Sequence, residues 1–205
     1  MDVDALAARA QPLIDTMAYE YFAAGSDDED TLRDNVEAWR RIRFLPHVLR
    51  DVSSVTTTAN VLGTAVSSPI LFAPMAAQRM AHPDGERAMA VAASEADTVM
   101  IVSTMATTSL EETAAAAPGA SRWFQFYVHR DREMSADLVL RAVAAGYEAV
   151  VLTVDLPVLG RRRRDEINRF ELPSGMRMEN LAVSIESMQG SGLGEYSDAA
   201  FDASL

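Results

Sequence analysis

Ala149-Val150-Val151-Leu152-Thr153-Val154 is a continuous apolar run of the kind that suits a parallel strand buried on both faces. It is the fourth such run in the chain. Before it come Ile70-Leu71-Phe72-Ala73, Val99-Met100-Ile101-Val102 and Trp123-Phe124-Gln125-Phe126-Tyr127. Between the runs lie stretches of helical character, Gly85 to Ala96, Ser109 to Ala117 and Ser135 to Ala145, the last with Gly146 placed to cap its C-terminus. Four strand-then-helix units in series predict an α/β architecture with a parallel sheet and right-handed crossovers.

The runs end in residues that packing alone does not explain: Pro74-Met75-Ala76, Ser103-Thr104-Met105, Gln125 with Tyr127, and Thr153 with Asp155. Two-residue spacing on a strand puts Gln125 and Tyr127 on one side of the sheet, and Thr153 and Asp155 likewise. In a β/α barrel these C-terminal strand ends form the face that carries the chemistry.

Outward from the strands, the chain divides into three stretches. In residues 1–68, Leu6, Leu13, Ile14, Met17, Ala18 and Tyr21 recur at helical spacing from Val3 to Phe22, and Leu32, Val36 and Trp39 continue the pattern from Thr31. An acidic turn, Gly25-Ser26-Asp27-Asp28, separates the two helices. Val55 to Val66 alternates and is rich in Thr and Val, which predicts a small hairpin. Residues 69–172 hold the strand-helix units. Residues 173–205 lose periodicity apart from a weak helical hint around Leu193 to Phe201, and are expected to form a long loop of the kind that often serves function.

Composition excludes several functions. The 205 residues are 49% hydrophobic and 23% charged, ordinary for a packed globular protein. A net charge of −12 argues against nucleic acid as a partner, because that affinity comes from Lys and Arg. With no cysteine there is no disulfide, thiolate metal site or Cys nucleophile, and no metal site is expected. Met1-Asp2-Val3-Asp4 lacks a signal peptide's basic start, and no apolar stretch approaches ~18 residues. A cytoplasmic protein without a membrane partner is expected.

Several separated stretches resemble one family in its own order. They are Tyr19-Glu20-Tyr21-Phe22-Ala23-Ala24-Gly25, Ala73 to Gly85 (APMAAQRMAHPDG), Trp123 to Tyr127, Leu152-Thr153-Val154-Asp155-Leu156-Pro157, Gly160-Arg161-Arg162 and Asn168-Arg169-Phe170. Together they resemble the FMN-dependent 2-hydroxy-acid oxidases and dehydrogenases, such as glycolate oxidase, lactate oxidase and mandelate dehydrogenase. One such motif would be a weak signal. The resemblance implies a TIM-type (β/α)8 barrel of which about the first four β/α units are present, preceded by the helical segment and hairpin. By similarity, the missing half carries a flavin-facing lysine, the proton-abstracting histidine, a second carboxylate-binding arginine and the main phosphate site.

The resemblance also implies roles. Pro74, Met75, Ala76, Ser103, Gln125 and Thr153 would contact FMN. Tyr21 and Arg162 would bind the substrate carboxylate, for which a planar guanidinium is suited because its fork can pair with both oxygens. Tyr127 would stabilise charge at the reacting oxygen, and Asp155 would assist the histidine. Met105 stands where several relatives carry an aromatic over the substrate side chain, which puts substrate size in question.

Each of these residues also has a plainer role available. Tyr21 could be core on an amphipathic helix. Arg161 to Arg164 could be a solvated basic turn, and Asp155 could cap a loop before Pro157. Gln125 is less comfortable as filler, since a glutamine in an apolar run needs partners for its donors and acceptor. Of the three histidines, His82 belongs to the Ala-His-Pro-Asp-Gly turn, His129 lies past the end of its strand, and His47 follows Pro46, so none is assigned as the base.

The implied activity is FMN-dependent oxidation of a small 2-hydroxy acid to a 2-oxo acid, in a homo-oligomer. The competing class is a non-catalytic half-barrel that needs a partner chain to bind FMN or substrate. On either view the 205-residue chain by itself is expected to be inactive. A different FMN barrel enzyme, an isomerase or synthase, fits Tyr21 and Gly160-Arg161-Arg162 less well.

Overall fold

The computed structural model describes residues 2–156, 158–181 and 201. Helices α1 (Val3–Ala10), α2 (Thr16–Ala23) and α3 (Asp30–Arg41) lead into a two-stranded antiparallel hairpin of β1 (Ala59–Val61) and β2 (Thr64–Val66). Then come α4 (Gly85–Glu95), β3 (Met100–Ser103), α5 (Leu110–Ala116), β4 (Arg122–Phe126), α6 (Arg132–Ala144) and β5 (Ala149–Leu152). A short helix, α7 (Arg163–Asn168), follows.

The parallel sheet has the order β3-β4-β5, and a parallel bridge from Phe72 to Met100 adds one more segment beside β3. Each strand therefore lies next to its predecessor in sequence, the arrangement of a barrel half laid open. Ile70 to Ala73 forms only this bridge because Pro69 and Pro74 flank it, and proline cannot donate to a ladder.

Alternation along the strands sorts the core into two layers. On one face Met100, Val102, Phe124 and Phe126 pack with Ala93, Leu110 and Leu138 of the helices. On the other, Ile101, Trp123 and Val151 pack with Val61 and Val66 of the hairpin, which thus covers the inner face towards the N-terminal ends of the strands. The inner face beyond Trp123 is left to Gln125.

The sheet is incomplete at β5. Val150 and Leu152 pair in register with Phe124 and Phe126, yet they are 44% and 50% exposed where Phe124 and Phe126 are buried. No described helix covers that part of the outer face. No helix among the described residues is long and apolar enough to cross a membrane.

Local departures from the expected elements have local causes. The single helix expected from Val3 to Phe22 is broken: Pro12 lies in a 3-10 turn, Gln11–Leu13, and Asp15 restarts the chain as α2 by accepting from the Met17 amide at 2.9 Å. The hairpin is confined to 59–66. Ser109 caps α5 and Asp131 caps α6, extending α6 one turn further back than expected. Gly146 has φ +80°, the left-handed conformation that ends α6. Of the helical hint at Leu193 to Phe201, only Phe201 lies within the described residues.

Candidate active site

Three polar side chains form a hydrogen-bonded row across the C-terminal ends of the three strands. Ser103 Oγ donates to Gln125 Oε1 at 3.2 Å, and Gln125 Nε2 donates to Thr153 Oγ1 at 2.7 Å. The Thr104 amide also donates to Gln125 Oε1 at 3.2 Å, and Met105 N donates back to Ser103 Oγ at 3.1 Å. Gln125 is 4% exposed, so its carboxamide is fixed by partners rather than by water. Within β4, Gln125 faces inward, and Phe124 and Phe126 face the helices.

Beside this row stand the tyrosines. Tyr21 on α2 stacks on Phe170, with ring centroids 4.5 Å apart, and the Arg162 guanidinium lies over its ring at 4.9 Å. Burial pushes the Tyr21 hydroxyl up to about 12; Arg162 opposes the shift, while Asp165 and Tyr127 add to it. Tyr127 is raised too, first by burial and then by Asp155. Both phenols are therefore neutral donors at ordinary pH, and Tyr21, Tyr127, Asp155 and Arg162 share one electrostatic neighbourhood. Phe201 stacks on Tyr127 at 4.4 Å.

Each of the four arginines is ion-paired, although Arg161 and Arg163 remain exposed. Arg163 pairs with Asp28, and Arg164 pairs with Glu29 at 2.8 Å and with Glu20 at 3.6 Å. Arg161 pairs with Glu166 at 2.7 Å, and its carbonyl accepts from the Asp27 amide at 2.8 Å. Gly160 approaches Ser26 so closely that a Cβ would lie 2.2 Å from its Oγ. The acidic turn after α2 and the basic strip before α7 thus form a clasp, and the clasp brings Arg162 to Tyr21. Arg162 donates through Nη2 to the Tyr21 carbonyl and through Nε to Asp165 at 2.6 Å, which leaves Nη1 without a partner among the described residues.

Other candidates fall elsewhere. Met105 is 7% exposed, with its side chain in the main core, and its carbonyl accepts from the Ala77 amide at 3.1 Å. Pro74 and Met75 are exposed at the strand-end turn, and Ala76 is half-buried. His82 is an exposed turn residue whose Nδ1 accepts from the Asp84 amide at 3.2 Å, and His47 is exposed. His129 is 1% exposed against Phe126 and Phe201, and neither ring nitrogen has a partner among the described residues. Burial lowers it to about 4, against a small opposing effect of Asp131, so it is neutral at ordinary pH.

Two residues that sequence reasoning passed over hold the loops. Asn180 accepts from the Leu110 amide at 2.9 Å and tethers the segment after α7 to the start of α5. Glu86 is buried at the start of α4. Neither carries a sequence signal beyond being a lone polar residue. A cavity of about 480 Å³ between α5 and α6 lies on the helix side, away from the row. Its arginines are already engaged, Arg141 with Glu111 and Arg122 with the Ala117 carbonyl. Among the described residues, no group of three His, Asp or Glu could hold a metal ion.

With this geometry in hand, comparison with known proteins decides the family. The model of a family described as FMN-dependent dehydrogenase matches residues 10–201. The chain belongs to the FMN-dependent dehydrogenase family. It is 46% identical to glycolate oxidase 1 of Oryza sativa subsp. indica, over all of this chain and 56% of that protein. Identity to the glycolate oxidase of Spinacia oleracea is 44%, again over 100% and 56%. A mandelate oxidase solved with (S)-4-hydroxymandelic acid superposes with a TM-score of 0.90 at 36% identity, covering 97% of this chain and 56% of that one. The chain thus spans about half the length of the relatives it matches, and its fold is that of a partial barrel.

The cofactor of the FMN-dependent dehydrogenase family is FMN, and the donor set here suits it. A hydroxyl, a carboxamide and a hydroxyl, each able to donate and accept, line one face of three adjacent strand ends. A flat heteroaromatic edge with alternating acceptors and donors needs such a row. Pro74 and Met75 are exposed at the turn after the neighbouring segment, and Ala76 is half-buried.

Proposed function

We propose that this chain supplies the flavin-holding and carboxylate-binding half of a site that oxidises a 2-hydroxy acid to a 2-oxo acid. The observation that carries the proposal is convergence: the Ser103-Gln125-Thr153 row and the Tyr21, Tyr127 and Arg162 group stand at the same end of one parallel sheet. FMN, when bound, accepts the two electrons of the oxidation. The residues of this chain bind and orient. Ser103, Gln125 and Thr153 hold the flavin edge, with Pro74, Met75 and Ala76 beside it. Arg162, through its uncommitted Nη1, and the Tyr21 hydroxyl bind the substrate carboxylate. The neutral Tyr127 hydroxyl donates to the reacting oxygen, and Asp155 supplies a negative charge beside it.

A proton acceptor must come from elsewhere. Only three histidines exist in the sequence; His47 and His82 are exposed away from the row, and His129 is enclosed by aromatic rings. The exposed Val150 and Leu152 on the free edge of β5 mark where the remainder of a barrel adds, in the same polypeptide or a second one. Until it adds, the half-barrel is not catalytic.

The test is Arg162→Met in the protein completed by the rest of its barrel. Losing a charge-assisted pair costs about 1.5–3 kcal/mol, so kcat/KM for the hydroxy acid falls roughly ten- to a hundredfold while FMN affinity holds. Unchanged steady-state kinetics would remove Arg162 from the site.

A further inference from the structure

Glu86 lies in the first turn of α4 and is 0% exposed. Its Oε1 accepts from the Gln78 amide at 3.2 Å and from the Thr107 amide at 2.8 Å. Thr107 Oγ1 donates to the carboxylate at 3.0 Å, and Thr108 Oγ1 donates to Oε2 at 2.8 Å. No lysine or arginine pairs with it among the described residues. A carboxylate buried without a cation is costly unless donors surround it, and here donors come from two separate turns. A leucine of similar bulk would fill the space and strand those donors.

The two turns are those at the flavin end of the sheet. Gln78 belongs to the turn that follows Pro74 to Ala77, and Thr107 and Thr108 belong to the turn that follows Ser103 to Met105. Neither turn has strand pairing to hold it. Further bonds knit them at the same place: Ala77 N donates to the Met105 carbonyl at 3.1 Å, and Arg79 N donates to Thr107 Oγ1 at 3.1 Å. Gly85 makes the approach possible. Its φ is +39°, and a Cβ there would stand 2.6 Å from Arg79 Cγ and 2.9 Å from Arg79 N, so the start of α4 lies directly on the first turn.

We propose that Glu86 is a positioning residue for flavin binding, a buried carboxylate that locks the turn following Pro74–Ala77 to the turn following Ser103–Met105 and so holds those two stretches at the spacing the flavin ring needs. It touches neither cofactor nor substrate. The inference rests on the assignment of these two turns to FMN under Proposed function.

The experiment uses the FMN-loaded protein carrying this chain. Glu86→Gln keeps the volume, and the threonine hydroxyls can reverse to meet its amide, so the fold survives while the lock loosens. FMN dissociation, followed by the return of free-flavin fluorescence on dilution, rises about tenfold. Amide deuterium exchange quickens at Gln78 and Thr107, while exchange in α6 and the thermal midpoint stay near those of the parent. Thr108→Val, which removes one partner only, gives a smaller rise and carries the test if Glu86→Gln does not fold. Faster exchange at Gln78 and Thr107 with unchanged FMN dissociation overturns the proposal and leaves Glu86 a structural residue. The underlying assignment is read separately in the parent: FMN must slow exchange at residues 75–77 and 103–105, and its failure to do so sinks the assignment and the proposal together.

Discussion

Replacing Gln125 with leucine removes the hub of the strand-end row at nearly constant volume. Three hydrogen bonds are lost: from Ser103 Oγ and Thr104 N to Oε1, and from Nε2 to Thr153 Oγ1. Ser103 keeps its bond from Met105 N, and Thr153 is half-buried and can turn to water, so these two cost little. The Thr104 amide is different. Thr104 is 0% exposed, and nothing else among the described residues replaces the lost acceptor, so this group carries a desolvation penalty of about 1–3 kcal/mol. With about 0.5–1.5 kcal/mol for the other bonds, the expected loss is roughly 2–4 kcal/mol. For a chain of this size that lowers Tm by about 5–15 °C. Scanning calorimetry of Gln125→Leu measures it, and an FMN titration of the same material must show weakened binding. A Tm within about 2 °C of the parent, together with unchanged FMN affinity, would show that Gln125 is neither buried nor placed as described.

Other variants probe the neighbours. Tyr21→Phe keeps the stack on Phe170 and the contact with Arg162, so unfolding changes by less than about 0.5 kcal/mol while KM for the hydroxy acid rises; an unchanged KM removes the hydroxyl from the site. His129, lowered from 6.5 to about 4 in the folded state, takes up its proton in the unfolded chain first. Stability is therefore undiminished above pH 6.5 and falls as pH drops towards 4, by up to about 3 kcal/mol, and His129→Phe flattens that slope in urea melts. Met105, buried in the main core, is overpacked by Met105→Trp at a cost of about 1–3 kcal/mol, read as a lowered urea midpoint; an unchanged midpoint would show that the side chain is not in the core.

How much of this was legible in the sequence depends on the range over which each signal acts. Alternation along Trp123 to Tyr127 is local, and the structure shows it within β4, where Gln125 faces away from Phe124 and Phe126. The hydrogen bonds that join Gln125 to Ser103 and Thr153 cross between strands, and no local pattern records them. The break of the first helix was readable from Pro12 and Asp15 but was outweighed by the apolar spacing on either side. Helix α7 was not read at all, because Arg163-Arg164-Asp165-Glu166-Ile167-Asn168 has no apolar face. It is held by ion pairs to residues more than a hundred positions earlier, such as Arg163 with Asp28. Glu86 and Asn180 were invisible for the same reason. Their partners lie on other loops, and one polar letter carries no record of what it will meet.

Whether the chain supplies half of a hydroxy-acid-oxidising site is read from flavin reduction under anaerobic conditions, followed by the bleaching of oxidised-FMN absorbance on adding glycolate, lactate or mandelate. The 205-residue chain is compared alone and together with a separately expressed remainder of the barrel. No bleaching is expected from the chain alone, rapid bleaching from the combined protein with at least one of these acids, and a rate lowered roughly ten- to a hundredfold by Arg162→Met. Enzyme-like bleaching by the chain alone, or a combined protein that binds FMN and is reduced by none of the three acids, would contradict the proposed half-site.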